Sequence, residues 1–162
     1  MAMNKETLKE GLQNIGSQST EAGAISAWVE AYTTYVAGAD LNEGAEANKI
    51  KITSSSVSVA GSALAAQLVG MSNTETAAGT TLIPAAIVAF WASIAAQQAT
   101  AFAGATLVTP PPHATLAAGF AALMTSNVSD PDGALDAVAD LLHQEATTLG
   151  TVTFVTPIFP II

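Results

Sequence analysis

The chain has 162 residues, half of them apolar, and its thirteen acidic residues against four lysines give a net charge of −9. This length fits one domain with an ordinary core, and so acidic a chain lacks the cations needed to bind a phosphate backbone. The absence of cysteine excludes disulfides, thiolate catalysis and thiolate metal sites, and the N-terminal MAMNKETLKEGLQ has no apolar segment typical of a secretory signal.

Residues 4–15 predict a short amphipathic helix. Asn4 is a suitable N-cap, and Gly16 is suited to end the helix. The apolar line of this helix is formed by Leu8, Leu12 and Ile15, and its solvated face by Lys5, Glu6, Lys9 and Glu10.

A second helix is predicted from a cap at Ser19 or Thr20 to about Ala37. One side of it is apolar, with Ile25, Trp28, Val29, Tyr32 and Val36. Aromatic residues at 28, 32 and 35 have two interpretations, a ligand platform or a helix core. Their spacing of three and four favours the core.

Residues 38–51 predict an exposed connection that contains two glycines and four acids. Asp40, Glu43 and Glu46 are candidate cation ligands, but the alternating spacing of a calcium loop is absent, which favours a solvated loop. Residues 50–59 alternate like a strand, whereas a helical stripe predicts a helix from about Ser55 to Met71, and we adopt the helix. The stripe is Val57, Ala60, Leu64, Leu68 and Met71.

The stretch Thr80–Val108 lies inside a long charge-free run and predicts the central, Ala-rich helix of the fold, after a loop at 72–79. Thr81 and Pro84 suit its first turn. Small residues follow one side at steps of four and three, which would let a second backbone approach closely: Ala85, Ala89, Ala92, Ala96, Ala99 and Ala103. The other faces are bulky, so we expect burial nearly all round: Ile83, Ile87, Val88, Phe90, Trp91, Ile94 and Phe102.

This stretch is also long enough to span a bilayer. Gln97 and Gln98 fall near its middle, however, and the chain has no arginine to supply a positive flank. A buried helix is therefore the favoured interpretation, with no membrane partner, and membrane insertion is the alternative.

The segment TLVTPPPH, which follows Gly104, predicts a stiff extended corner, because consecutive prolines fix the backbone. A short helix is predicted at 114–125 with Leu116, Phe120 and Leu123 as its stripe. His113 has no patterned nucleophile or acid beside it, so we interpret it as a loop residue and not as a base.

SDPDG at 129–133 predicts the start of the last helix, with Asp130 as cap and Pro131 in the first position. This helix should run to about Leu149, with Leu135, Val138, Leu142, Ala146 and Leu149 inward and Asp132, Asp136, Asp140, His143 and Gln144 outward. The three aspartates repel one another, and a bound cation or a partner's lysine would relieve that repulsion. We predict no metal site, because acids on one helix cover only one side of an ion.

The tail TVTFVTPIFPII alternates as a strand through Val155, and its prolines confine the end to a sheet edge or an extended arm. In a lone monomer this tail would expose an apolar patch, so we expect another subunit to cover it. The subunit-interface candidates are Val155, Ile158, Phe159, Ile161 and Ile162, together with Ala92 and Ala96 of the small-residue face.

Three segments carry a resemblance: AIVAFWASIAAQQATAF, GATLVTPPPHATLAAGFAALM and DAVADLLHQEATTLGTVTF. Over about Ile83–Phe154 the chain resembles small uncharacterised structural proteins of tailed-bacteriophage virions, which share an Ala-rich FW-type helix, a Pro-rich corner, a short helix and an amphipathic last helix with a Thr/Val strand. The resemblance implies a virion subunit, assembled in the host cytoplasm, and carries no catalytic motif.

No GxSxG, HExxH or phosphate-cradling loop occurs in the sequence, so we expect neither an enzyme nor a cofactor. The predicted fold is all-α, a single domain over 1–162 with five or six helices in a body at 1–150 and a strand or arm at 151–162. The predicted function is a homo-oligomeric ring at the head–tail neck or a tail-completion protein, with other virion proteins as partners and DNA passing an acidic channel without specific binding. A capsid decoration protein and a membrane-inserting helical protein are the alternatives.

Overall fold

The computed structural model describes residues 3–37, 39–41, 50–70, 78–101, 105–108, 114–125, 130–149, 151–154 and 158–160. This part of the chain is mainly helical, which confirms the predicted class, and it contains six α-helices. Their bounds are α1 Lys5–Gln13, α2 Glu21–Val36, α3 Ser54–Leu68, α4 Ile83–Ala101, α5 Ala114–Thr125 and α6 Pro131–Gln144. A 3₁₀ turn follows α1 at Ile15–Ser17, and π-helical turns precede α4 at Ala78–Leu82 and follow α6 at Glu145–Leu149.

Side-chain caps begin four of the helices. Asn4 accepts from the Glu6 N–H at 2.9 Å, Thr20 from Gly23 at 3.1 Å and Asp130 from Asp132 at 3.2 Å, so the three predicted caps are confirmed. The cap of α3 is Thr53, whose hydroxyl accepts from the Ser56 N–H at 3.2 Å. That helix therefore begins at Ser54, and the alternating pattern before it corresponds to a short strand.

Short strands make two small sheets in the described residues. β1 (Asp40–Leu41) pairs antiparallel with β2 (Ile50–Lys51). β3 (Ala105–Val108), β4 (Thr151–Phe154) and β5 (Ile158–Pro160) pair antiparallel in that order. The predicted helix across Thr80–Val108 is thus wrong at its end, because α4 stops at Ala101 and Ala105–Val108 is extended. β-branched residues that lead into a proline run favour this extended backbone.

Helix α2 contacts several of the other helices. It packs against α1 and α3, the Tyr32 ring meets Phe90 of α4 edge-on at 5.0 Å, and Tyr35 reaches His143 of α6. The Ala-rich helix α4 packs mainly against α3, so the core is shared among these helices. The tyrosines of α2 combine an apolar ring with a hydroxyl group, so this helix can pack against apolar side chains and also form hydrogen bonds with polar ones.

The bulky face of helix α4 is buried. Ala86, Ile87, Phe90, Trp91 and Ile94 are buried, as the bulky face predicted. Its main partner is α3, which contributes Val57, Ala60, Leu64 and Leu68 to the same core. On the other side, among the described residues, Ala85 and Ala89 are half-buried and Ala92 and Ala96 are exposed, so burial there is less complete than predicted.

Candidate assembly surface

The small-residue face of α4 lies open at the surface. Ala92 and Ala96 are exposed, while Ala85 and Ala89 are half-buried. The window Thr80–Gln97 is long and apolar enough to cross a membrane by length and composition, and 33% of it is buried in the structure. A core helix passes the same test of length and composition. The structure therefore leaves an uncharged helix face free for a partner.

The predicted interface residues of the tail fall partly within β5. The backbone of Ile158 pairs with Thr153 and that of Phe159 with Val152, both in β4. Val155, Ile161 and Ile162 lie outside the described residues, as do Glu43 and Glu46 of the acidic connection, His113, Met71 and Phe102. The structure therefore gives backbone positions for two of the tail candidates and leaves their partners untested.

The acidic stripe of α6 meets lysines from α1. Lys5 Nζ lies 2.8 Å from Asp140 Oδ1 and 3.5 Å from Asp136 Oδ1, and Lys9 Nζ lies 3.3 Å from Asp136 Oδ1. The prediction that Lys5 and Lys9 form a solvated face is wrong, since both are half-buried against α6. We call these ion pairs the α1–α6 clasp. The two lysines supply, from the same chain, positive charge that offsets the repulsion between the aspartates of the stripe.

The clasp also shifts the acid–base behaviour of its members. The hydrogen bond that Lys5 donates to Asp140 raises the pKa of Lys5 above the ordinary lysine value. The hydrogen bond from Lys9 lowers the pKa of Asp136. No group of three or more metal-ligating side chains occurs among the described residues. The ion pairs of the α1–α6 clasp therefore account for the geometry of this stripe.

The aromatic residues of α2 belong to the core. Trp28, Tyr32 and Tyr35 are all buried, which agrees with the core interpretation of their spacing. The Trp91 indole N–H donates to the Tyr32 hydroxyl at 2.9 Å, so the two buried polar groups satisfy each other. Burial raises the pKa of Tyr32 well above its usual value.

His143 joins α6 to α2. Its Nδ1 lies 2.8 Å from the Tyr35 hydroxyl, and the two rings meet edge-on with centroids 5.9 Å apart. The outward position predicted for His143 is wrong. The side chain lies one residue beyond buried Leu142, at the border of the apolar stripe, where a ring with two nitrogens can reach a buried hydroxyl.

Glu145 is a buried acid that the sequence pattern did not indicate. It is 5% exposed, and its Oε1 has no hydrogen-bond partner among the described groups. Burial raises the pKa of this carboxyl. The residue opens the π-helical turn that follows α6. Its step of three from buried Leu142 places it at the border of the inward stripe, so only its acidic character argued against burial.

Surface concavities lie between the helices of the described chain. An open groove of about 690 Å³ separates α2 from α3, and Gly61 forms part of its floor. Another, almost wholly apolar pocket of about 460 Å³ is lined by Leu12, Trp28, Ile83, Phe120 and Leu135. The mainly apolar linings of these two concavities suit contact with a partner.

Comparison of the chain with protein-family models, curated proteins and solved structures finds no match in any of the three.

Proposed function

We propose that this chain is a structural subunit of a tailed-phage virion and forms a homo-oligomeric ring at the head–tail neck or the tail end. The observation that carries the proposal is the uneven surface of the described bundle. Acids lie on α1, α2 and α6, whereas α3 and α4 contain no charged residue and leave Ala92 and Ala96 exposed. A subunit of an assembly needs such an uncharged contact face, because contact between acidic faces is repulsive.

The acidic remainder of the surface suits a DNA passage. A net charge of −9 repels a phosphate backbone, and like charge removes the counterion release that drives nucleic-acid binding. DNA would therefore slide past such a ring without sticking to it. A capsid decoration protein has no need of this property, which is why the neck is preferred.

The tail supplies a second contact in this proposal. In this proposal, apolar side chains of residues 151–162 contact a neighbouring subunit, while the backbone of Ile158–Pro160 stays paired with β4 of its own chain. Donation of an extended segment to a neighbour is a common way to join subunits. The proposal assigns the chain neither a catalytic role nor a cofactor.

The test is to delete residues 156–162 and to examine purified protein and phage particles together. The proposal expects a lower oligomeric state in solution and particles without this subunit. Normal assembly of the shortened chain would remove the arm from the proposal. Imaging that places the subunit on capsid facets would favour decoration instead, and partition of the intact chain into lipid vesicles would favour the membrane alternative.

A further inference from the structure

Helix α3 carries a second exposed stripe, which the sequence analysis did not single out. Five positions at steps of four and three are exposed: Ser55, Val59, Ser62, Ala66 and Val69. Ser62 of this stripe also lines the edge of the groove between α2 and α3. Val59 is 52% exposed and Val69 is 70% exposed, and they are the large hydrophobic side chains most open to solvent in the described chain. Alternating steps of four and three produce the seam through which two helices pair.

The end of this stripe is held in place. Val69 caps α3, and the next residue, Gly70, has a φ of 87° in the left-handed region that ends helices. The Gly70 N–H donates to the Glu21 carboxylate at 2.5 Å, which ties the end of α3 to the start of α2. Val69 is therefore presented by an anchored helix end.

The sizes of the five side chains indicate what covers them. Along α3 the stripe runs small, large, small, small, large. An antiparallel copy centred on Ser62 places Val69 against Ser55 and Val59 against Ala65, next to Ala66, so each valine faces a small residue. Alternation of large and small side chains across facing positions is what lets two helices interdigitate. The stripe is therefore complementary in shape to the same stripe of a second copy that runs in the opposite direction.

The distribution of charged residues also favours the α3 side of the molecule as the contact surface. The residues of α3 are all uncharged, and so are those of its neighbour α4. In the described part of the chain, the exposed acids lie on or beside α1, α2 and α6, for example Glu10, Glu30 and Asp132. Two copies with net charge −9 approach at least cost through the face that carries no acid.

We propose that a second copy of this chain covers the α3 stripe, with the two α3 helices antiparallel about a twofold axis at Ser62. Such a contact is isologous, because the same surface is used by both copies. The role of this contact in a particle rests on the proposed function. The pairing itself can be measured on the purified chain. A pair of this kind would be the building unit of the ring.

The first experiment measures self-association by sedimentation velocity over a range of concentrations. We expect the unaltered chain to form a dimer or a multiple of it, and Val59→Asp to weaken the dimer by about a hundredfold, since each copy would bury an unpaired carboxylate. Gln67→Asp is the matched control, because Gln67 is exposed on the same helix and belongs neither to the stripe nor to the groove beside α2. It should leave the dimer unchanged.

The second experiment uses the absence of cysteine from the chain. Ser62→Cys puts one thiol at the proposed axis and should form an interchain disulfide in mild oxidant, whereas Gln67→Cys, on another side of the same helix, should not. A monomer at every concentration, a dimer indifferent to Val59→Asp, or equal cross-linking at both positions overturns the proposal. If Val59→Asp does not fold, the two cysteine variants decide.

These outcomes are separable from the fate of the proposed function. If the chain dimerises through Ser62 but is missing from particles, the proposed pairing is supported and the proposed virion role is wrong. If the chain is found in particles but does not cross-link at Ser62, the virion role is supported and the proposed α3 interface is wrong.

Discussion

The α1–α6 side of the bundle and the α3–α4 side are held together by different interactions. On the first, Lys5 and Lys9 pair with Asp136 and Asp140 at 2.8–3.5 Å. On the second, two uncharged helices meet through apolar side chains, and the Trp91–Tyr32 bond links α4 to α2. On the charged side both lysines are used within the chain, and the open apolar surface is a concave pocket at Leu12 and Leu135. The uncharged side instead exposes the apolar side chains of Val59 and Val69 on the outside of a helix.

The largest effect should come from Gly11→Ala, which breaks the α1–α2 contact on the charged side. A Cβ at this position would lie 2.6 Å from the Ala31 Cβ and 2.8 Å from its Cα, so the two helices must separate. We expect a loss of about 3 kcal/mol of unfolding free energy, at the upper end for overpacking. Urea denaturation measures it.

Gly16→Ala is the matched control, since a Cβ there meets nothing within 4 Å. It should be neutral or slightly stabilising, by about 0.4–1 kcal/mol. Equal stability of the two variants would show that α1 and α2 are not in close contact.

Tyr32→Phe tests the uncharged side. The change removes one hydroxyl and leaves the Trp91 indole N–H buried without its acceptor. An unsatisfied buried donor costs about 1–3 kcal/mol. Thermal and urea unfolding should show that loss, and indole fluorescence should report the altered Trp91 environment. A neutral result would mean that water reaches the indole and that this side is not closed.

Much of the helical framework was predictable from local chemistry. Asn4, Thr20 and Asp130 cap their helices because each places an oxygen beside free backbone N–H groups. The buried stripe of α4 at Phe90 and Ile94 followed from its period. These features depend on residues within a turn or two of one another.

The contacts between distant segments were not predictable in this way. Lys5 and Asp140 are both charged residues on the outer side of a helical pattern, and only the packing of α1 on α6 makes them a pair. The same holds for Tyr35 and His143. Ala-rich composition suggested a central helix at Thr80–Val108, but the neighbours of a helix are set by long-range packing that composition does not report. Glu145 was missed because it is an acid, although its step of three from Leu142 places it at the border of the inward stripe.

Glu145→Gln tests the buried acid between the two sides. Burial raises the folded-state pKa of Glu145, so its contribution is most favourable below the unfolded value, about 4.3, and is lost as pH rises through the folded value. We expect the variant to be more stable than the parent at neutral pH by about 1 kcal/mol, because no charge is buried.

The check on Glu145→Gln is unfolding free energy measured from pH 4 to 8. The advantage of the variant should grow with pH. A difference that stays constant across this range would mean that the carboxyl is solvated or paired in the folded protein.

Asp136→Asn should have a smaller effect with the opposite pH dependence. The hydrogen bond from Lys9 lowers the pKa of Asp136, so its stabilisation is present above the unfolded value, about 3.9, and is lost as pH falls through the folded value. Because the clasp is at the surface, salt should weaken it as well. The parent and Asp136→Asn should therefore converge in acid and in high salt. Asp132→Asn, an exposed acid of the same helix, is the control and should show no such convergence.

Ala92→Leu on the uncharged side should have the smallest effect of all on the stability of the isolated chain. Ala92 is exposed, so a larger side chain meets solvent, and the unfolding free energy should change by no more than about 0.5 kcal/mol. Ala86→Leu on the same helix is the contrast, because Ala86 is 0% exposed and its enlargement should cost about 1–3 kcal/mol. If α4 takes part in assembly, Ala92→Leu should weaken association at concentrations where the folded monomer is unaffected. Equal destabilisation of the monomer by both variants would mean that the Ala92 side of α4 is closed within the chain and is not a contact face.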